Sequence, residues 1–157
     1  MNTTIFYHKN CNDGYIAALV AYSFFKERGV LDTVEFIPVQ YNEPLPEEET
    51  YEGRVVYILD FSFSKEDTTK IIEAADSVIM LDHHETARKN LFTGERFLEG
   101  SVVEKDDVNG SYILHTKTAS ITIDKKESGG RRMDGWCHQD NIAAYLLEIN
   151  IASTRKS

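Results

Sequence analysis

Residues 54–62 read RVVYILDFS, an apolar run that ends directly on Asp60. Residues 54–59 (RVVYIL), apolar without interruption after Arg54, predict a strand covered on both faces, as in a parallel sheet flanked by helices. Two further runs have the same form. Residues 77–81 (SVIML) end at Asp82-His83-His84, and residues 3–7 (TTIFY) end in the polar loop His8-Lys9-Asn10-Cys11-Asn12-Asp13-Gly14. Between these strands, residues 15–28 carry Ile16, Leu19, Val20 and Phe24 at helical spacing with Ala17, Ala18 and Ala21 interspersed. This predicts a helix buried over most of its surface and ended by Gly29. Residues 34–39 (VEFIPV) read as a strand that lies or finishes at a sheet edge because of Pro38. The acidic stretch 43–52, with Pro44 and Pro46, reads as a solvated loop. Ser64-Lys65-Glu66-Asp67 has the form of a capping box and predicts a helix over 65–75. Strand, helix, strand, strand, helix, strand is the order of an α/β fold with a mostly parallel sheet flanked by helices.

The rest of the chain has a different pattern. Residues 111–114 and 119–123 alternate polar and apolar side chains around a short link, which predicts an antiparallel hairpin. Residues 104–107 (EKDD) read as a solvated turn, 128–132 (SGGRR) as a loop, and 141–149 as a short amphipathic helix, with 152–157 fraying. The 157 residues set the expectation of one domain: a metal-site core over 1–95 and a hairpin-and-helix extension over 96–157. No apolar run approaches the ~18 residues of a membrane span. No basic-then-apolar leader opens the chain, and two cysteines, Cys11 and Cys137, are too few for a disulfide framework; a reducing cytoplasm is expected. A formal charge of −9 argues against duplex nucleic acid, which is gripped by neutralising phosphates with Lys and Arg. It leaves room for a phosphate-bearing substrate held through metal ions.

Chemistry concentrates at the strand ends: His8 and Asp13 after the first strand, Asp60 after the next, Asp82-His83-His84 after the last. In open parallel sheets the carboxyl ends converge on one crevice, so these acids and imidazoles are expected to meet. Carboxylates crowd together only around something positive, and mixed His and Asp donors favour Mn²⁺, Fe²⁺ or Zn²⁺ over Ca²⁺. Ligands from separate loops allow a two-metal site. Taken singly, Asp13 also reads as an N-cap, Asp60 as a turn residue and His8 as a satisfied polar side chain. Paired histidines after an acid are harder to explain by packing. Cys11 reads either as a soft ligand or as a small buried residue; nothing marks it as a nucleophile activated by His8. Cys137 and His138 read as packing at a helix start, and the 128–132 loop is a weak phosphate-binding signal through Arg131 and Arg132.

The loop at 8–14, the strand end VYILDFS (56–62) and MLDHHETA (80–87) together resemble the DHH phosphoesterases. Within them the chain most resembles the branch of oligoribonuclease and cyclic-nucleotide phosphodiesterase-like proteins, over residues 4–91, with a weaker likeness over 128–147. The resemblance implies that His8 binds one metal, Asp13 the other, and Asp60 bridges both, with His83 completing the coordination of the second metal. It implies that His84 faces the phosphate or the attacking water while Asp82 orients the histidines. Mn²⁺ is the implied cofactor, as two ions, with Mg²⁺ or another divalent cation as substitutes, and a metal-bridging hydroxide the implied attacking group. Asn10, Arg88, Arg131 and Arg132 are the candidate substrate-binding residues. Cys11 stands where the family has an earlier acid, and a further downstream aspartate falls among Asp106, Asp107, Asp134 and Asp140 without a preference. The length is expected to leave no room for the family's second domain, so substrate selection falls to the C-terminal hairpin and helix, to a partner subunit as in a homodimer, or does not occur at all. The expected activity is hydrolysis of a small phosphodiester or nucleotide, such as a short single-stranded oligonucleotide or a cyclic nucleotide. The alternatives are a catalytically reduced relative that binds a nucleotide or a protein without turnover, and a metal-site protein of unrelated activity.

Overall fold

The computed structural model describes residues 2–84, 102–106, 111–115 and 118–123. In chain order its elements are β1 (Thr3–His8), α1 (Asn12–Glu27), β2 (Val34–Val39), β3 (Val55–Leu59), α2 (Lys65–Ala74), β4 (Ser77–Asp82), β5 (Val102–Asp106), β6 (Ser111–His115) and β7 (Ala119–Ile123). They form one seven-stranded sheet in the order β2-β1-β3-β4-β7-β6-β5. The five strands from β2 to β7 are parallel, and β6 and β5 continue the sheet antiparallel. The expected α/β architecture is present, and so is the hairpin: β6 pairs with β7, Tyr112 opposite Ile123. Pro38 lies on β2, the edge strand at one end of the sheet, where a missing N–H costs nothing.

The strand order carries the functional consequence. The connection from β1 leads outward to β2, whereas the one from β3 leads the opposite way to β4. Parallel crossovers are right-handed, so reversing direction places the two helices on opposite faces. The cores bear this out. Ala17, Ala21 and Phe25 of α1 pack with Ile5, Tyr57, Leu59 and Leu81 on one face. On the other, Ile71 of α2 packs with Phe6, Val56, Ile58, Val78 and Met80, joined by Ala119 and Ile121 of β7. Between β1 and β3 the chain therefore parts at the carboxyl end of the sheet, which is where ligands enter such folds.

Several expectations need correction. Helix α1 starts at Asn12 and not at Tyr15, so Asp13 stands in its first turn and Cys11 is the N-cap, without a side-chain cap hydrogen bond. Nor is α1 buried over most of its surface. Its buried stripe is Gly14, Ala17, Ala21 and Phe25, while Tyr15, Ile16, Leu19 and Tyr22 are exposed. The small residues of that stripe let the helix axis lie close to the sheet, which leaves the larger side chains on the outer face. Residues 104–106, expected in a turn with 107, belong instead to the edge strand β5 (102–106), where a charged sequence is compatible with pairing on one side only. Within the acidic 43–52 stretch Tyr51 is buried, its ring edge-on to Phe6. The N-cap expected at Ser64 forms, Asp67 N–H donating to the Ser64 hydroxyl at 3.1 Å. The segments 128–132, 141–149 and 152–157, with Cys137 and His138, lie outside the described residues.

The entry of α1 depends on one missing side chain. A Cβ on Gly14 would lie 2.1 Å from the His8 carbonyl oxygen, a backbone atom that cannot step aside. Gly14→Ala should lower stability by about 1–3 kcal/mol, the usual cost of overpacking, read as a lower urea midpoint with an unchanged denaturant slope. An unchanged midpoint would contradict the close approach.

Candidate metal centre

Each strand end delivers its side chains by a distinct local device. After β3, Asp60 adopts a left-handed backbone (φ 56°), rare for a residue with a side chain, and its N–H donates to the Leu81 carbonyl at 2.9 Å. This turn leaves the carboxylate with no exposed surface, at the gap between β1 and β3. Backbone strain of this kind costs on the order of 1–3 kcal/mol and persists where the surroundings hold it. The first turn of α1 brings Asp13 across, and the end of β4 brings Asp82, His83 and His84.

The two oxygens of Asp60 face different partners. Oδ1 lies 2.7 Å from His83 Nε2, and that nitrogen is 3.8 Å from Asp13 Oδ2. Oδ2 accepts from the Cys11 thiol at 3.4 Å and lies 3.7 Å from His8 Nδ1. His8, Cys11 and Asp60 each place a donor atom within 4.8 Å of the others, as do Asp60, Asp82, His83 and His84. His8 Nδ1 is buried and has no hydrogen-bond partner. A buried lone polar atom costs free energy unless something occupies it, and a divalent cation between it and Asp60 is suited to do so. The donor set, imidazoles with carboxylates and one thiol, fits a first-row divalent ion.

Asp82 does different work. Its Oδ2 accepts from the Ser62 hydroxyl at 2.6 Å, and Oδ1 accepts from the His83 backbone N–H at 2.8 Å and meets His84 Nδ1 at 2.5 Å. Burial acts to raise its pKa, but the hydrogen bond and charge of His84, then Ser62 and the His83 N–H, outweigh it and hold the carboxyl below its ordinary range. Asp82 thus holds the His84 ring directly and the His83 backbone through its N–H. At Cys11 burial is the largest influence and raises the thiol pKa, with the Asp60 charge adding to it, so the thiol lacks the depressed value of an activated nucleophile.

An aromatic wall stands beside these groups. Tyr41 stacks on Phe61 with ring centroids 4.5 Å apart and meets His8 and His84 edge-on, while 39% of its own surface remains exposed. Burial, and then the charges of Asp82 and Asp60, raise its phenol pKa well above the usual value, so it stays protonated at neutral pH.

The structure therefore brings together His8, Asp13, Asp60, Asp82, His83 and His84. Asn10 is exposed and its left-handed φ of 57° serves the turn; Arg88, Arg131 and Arg132 lie outside the described residues. Of the downstream aspartates, Asp106 ends β5, which lies three strands from β4 in the sheet. Asp107, Asp134 and Asp140 lie outside the described residues. The sequence reading missed Gln40, Tyr41 and Ser62. A signal for the first two was present: they follow β2, whose parallel pairing (His8 with Val39) delivers its carboxyl end to the same crevice.

No family model matches the chain, and no solved structure matches it significantly. It is similar to an uncharacterized protein of Acanthamoeba polyphaga mimivirus, 29% identical over 112 residues, or 66% of this chain and 27% of that protein. The chain thus covers little more than a quarter of that relative's length.

The Ser62 hydrogen bond gives a pH test. Asp82's folded pKa is depressed, so its stabilisation is present above the unfolded value of about 3.9 and is lost as pH falls through the folded value. Ser62→Ala should cost ~1.5–3 kcal/mol near pH 6, and the gap to wild type should begin to narrow below pH ~3.9 and close as pH falls through the lower folded value. Urea midpoints across pH check this; a gap that widens on acidification would contradict the assignment.

Proposed function

We propose that the protein is a metal-dependent phosphoesterase of the DHH kind, hydrolysing a small phosphodiester or nucleotide such as a short oligonucleotide or a cyclic nucleotide. The observation that carries this reading is the division of Asp60: one oxygen toward His8 and Cys11, the other toward His83 and Asp13. A carboxylate placed between two donor sets suits a pair of cations. His8, Cys11 and Asp60 would hold one, and Asp60, His83 and Asp13 the other, with Mn²⁺ as the expected metal. When bound, such cations neutralise phosphoryl oxygens and acidify water.

The chain's own residues supply the rest. Asp82 holds His84 through Nδ1, which fixes the imidazole ring at the mouth of the site as the group to exchange a proton with substrate or water. Tyr41, backed by Phe61, offers a flat apolar face beside His8 and His84, suited to stacking a nucleobase. Among the described residues no helix is long and apolar enough to cross a membrane. A homodimer is a further proposal, in which a partner subunit helps select substrate. A thiol in the place of a carboxylate favours a second reading, a catalytically reduced protein that binds a nucleotide or a protein without turnover.

Mn²⁺-loaded protein should hydrolyse dinucleotides or cyclic nucleotides, lose activity on chelation and regain it on metal return. Asp60→Asn and His83→Ala should lower turnover by more than about 100-fold, since even residues that only orient ligands cost 10–100-fold. Nucleotide binding by calorimetry without turnover on any phosphodiester would replace this reading by the second one.

A further inference from the structure

Gln40 directly follows β2, and two backbone groups of opposite polarity hold its side-chain amide. The Tyr41 N–H donates to its Oε1 at 2.9 Å, and its Nε2 donates to the Lys9 carbonyl at 3.0 Å. Turning the amide over would set donor against donor at one end and acceptor against acceptor at the other. The oxygen is therefore the end that meets His8 Nε2, at 3.0 Å. An amide oxygen only accepts, so His8 Nε2 must carry a hydrogen. The other ring nitrogen, Nδ1, is the one that is buried, without a hydrogen-bond partner, and 3.7 Å from Asp60 Oδ2.

We propose that Gln40 is a positioning residue that fixes His8 with its hydrogen on Nε2, so that Nδ1 is the nitrogen offered to a divalent cation. The ring is also held in place by flanking rings, with Tyr41 edge-on at 5.3 Å and Phe61 at 5.5 Å. The Tyr41 N–H that orients the amide belongs to the residue whose ring borders the site, so one short segment sets both the ligand and the wall. The consequence for metal binding rests on the proposed metal centre; the ring-nitrogen assignment rests on the three hydrogen bonds alone.

The test is long-range ¹H–¹⁵N spectroscopy of the His8 ring in metal-free protein, at a pH above imidazole titration, followed by Zn²⁺ calorimetry. Wild type should show a hydrogen-bearing Nε2 and a bare Nδ1. Gln40→Met, which keeps the length and removes the acceptor, should give mixed tautomers and bind Zn²⁺ about 10- to 100-fold more weakly. Gln40→Glu, which restores an acceptor toward His8 but sets an oxygen against the Lys9 carbonyl, should return a hydrogen-bearing Nε2 and part of the affinity. A wild-type His8 with its hydrogen on Nδ1 would overturn the proposal without any variant, and so would Gln40→Met with wild-type shifts. If wild type has the expected tautomer yet binds no divalent ion, the positioning by Gln40 stands and the metal centre falls.

Discussion

Two neighbouring parallel strands whose right-handed connections leave in opposite directions must open a gap at their carboxyl ends, and the whole site depends on that gap. Here the strands are β1 and β3. His8, Cys11 and Asp13 come off the first, Asp60 off the second, and the end of β4 brings Asp82, His83 and His84 alongside. No loop has to travel far, because each residue stands within a few positions of a strand that is locked into the sheet. The precision of the site is the precision of the ladder.

Close approach and strain then refine what topology delivers. Gly14 lets α1 begin directly against the His8 carbonyl, and that contact sets how near Asp13 comes to His83. Asp60 accepts an unfavourable backbone conformation so that a carboxylate with no exposed surface can be shared between two groups of donors. Asp82, equally buried, is satisfied instead by Ser62, His84 and a backbone N–H. Two buried acids 22 positions apart in sequence thus have different partners: Asp82 meets a hydroxyl, a backbone N–H and the His84 ring, whereas Asp60 meets two imidazoles and a thiol, groups that also ligate cations.

The strands, both helices of the first half and the hairpin were legible because continuous apolar runs, a capping box and period-two alternation are local signals. The convergence of His8, Asp60 and the Asp-His-His turn was legible as well, since parallel strands align their carboxyl ends. Other features escaped for identifiable reasons. Helix α1 looks buried over most of its surface in sequence because its apolar residues occupy more than one face; only packing shows that the Gly14–Ala17–Ala21–Phe25 stripe meets the sheet. The 102–106 strand carries the charges of a turn and pairs only at the edge. Ser62 and Gln40 are ordinary polar residues whose partners lie 20 and 32 positions away.

By itself the sequence determined the kind of sheet, the order of its elements and which acids and imidazoles stand at strand ends, because each is written in neighbouring residues through periodicity and turn chemistry. Tertiary structure alone decided which oxygen of Asp60 meets which partner, that Asp82 serves to orient its neighbours, and which His8 nitrogen is left bare. Those are matters of direction within a few ångströms. They are set by strand register, by the left-handed turn at Asp60 and by the amide of Gln40, which no local pattern of residue types encodes.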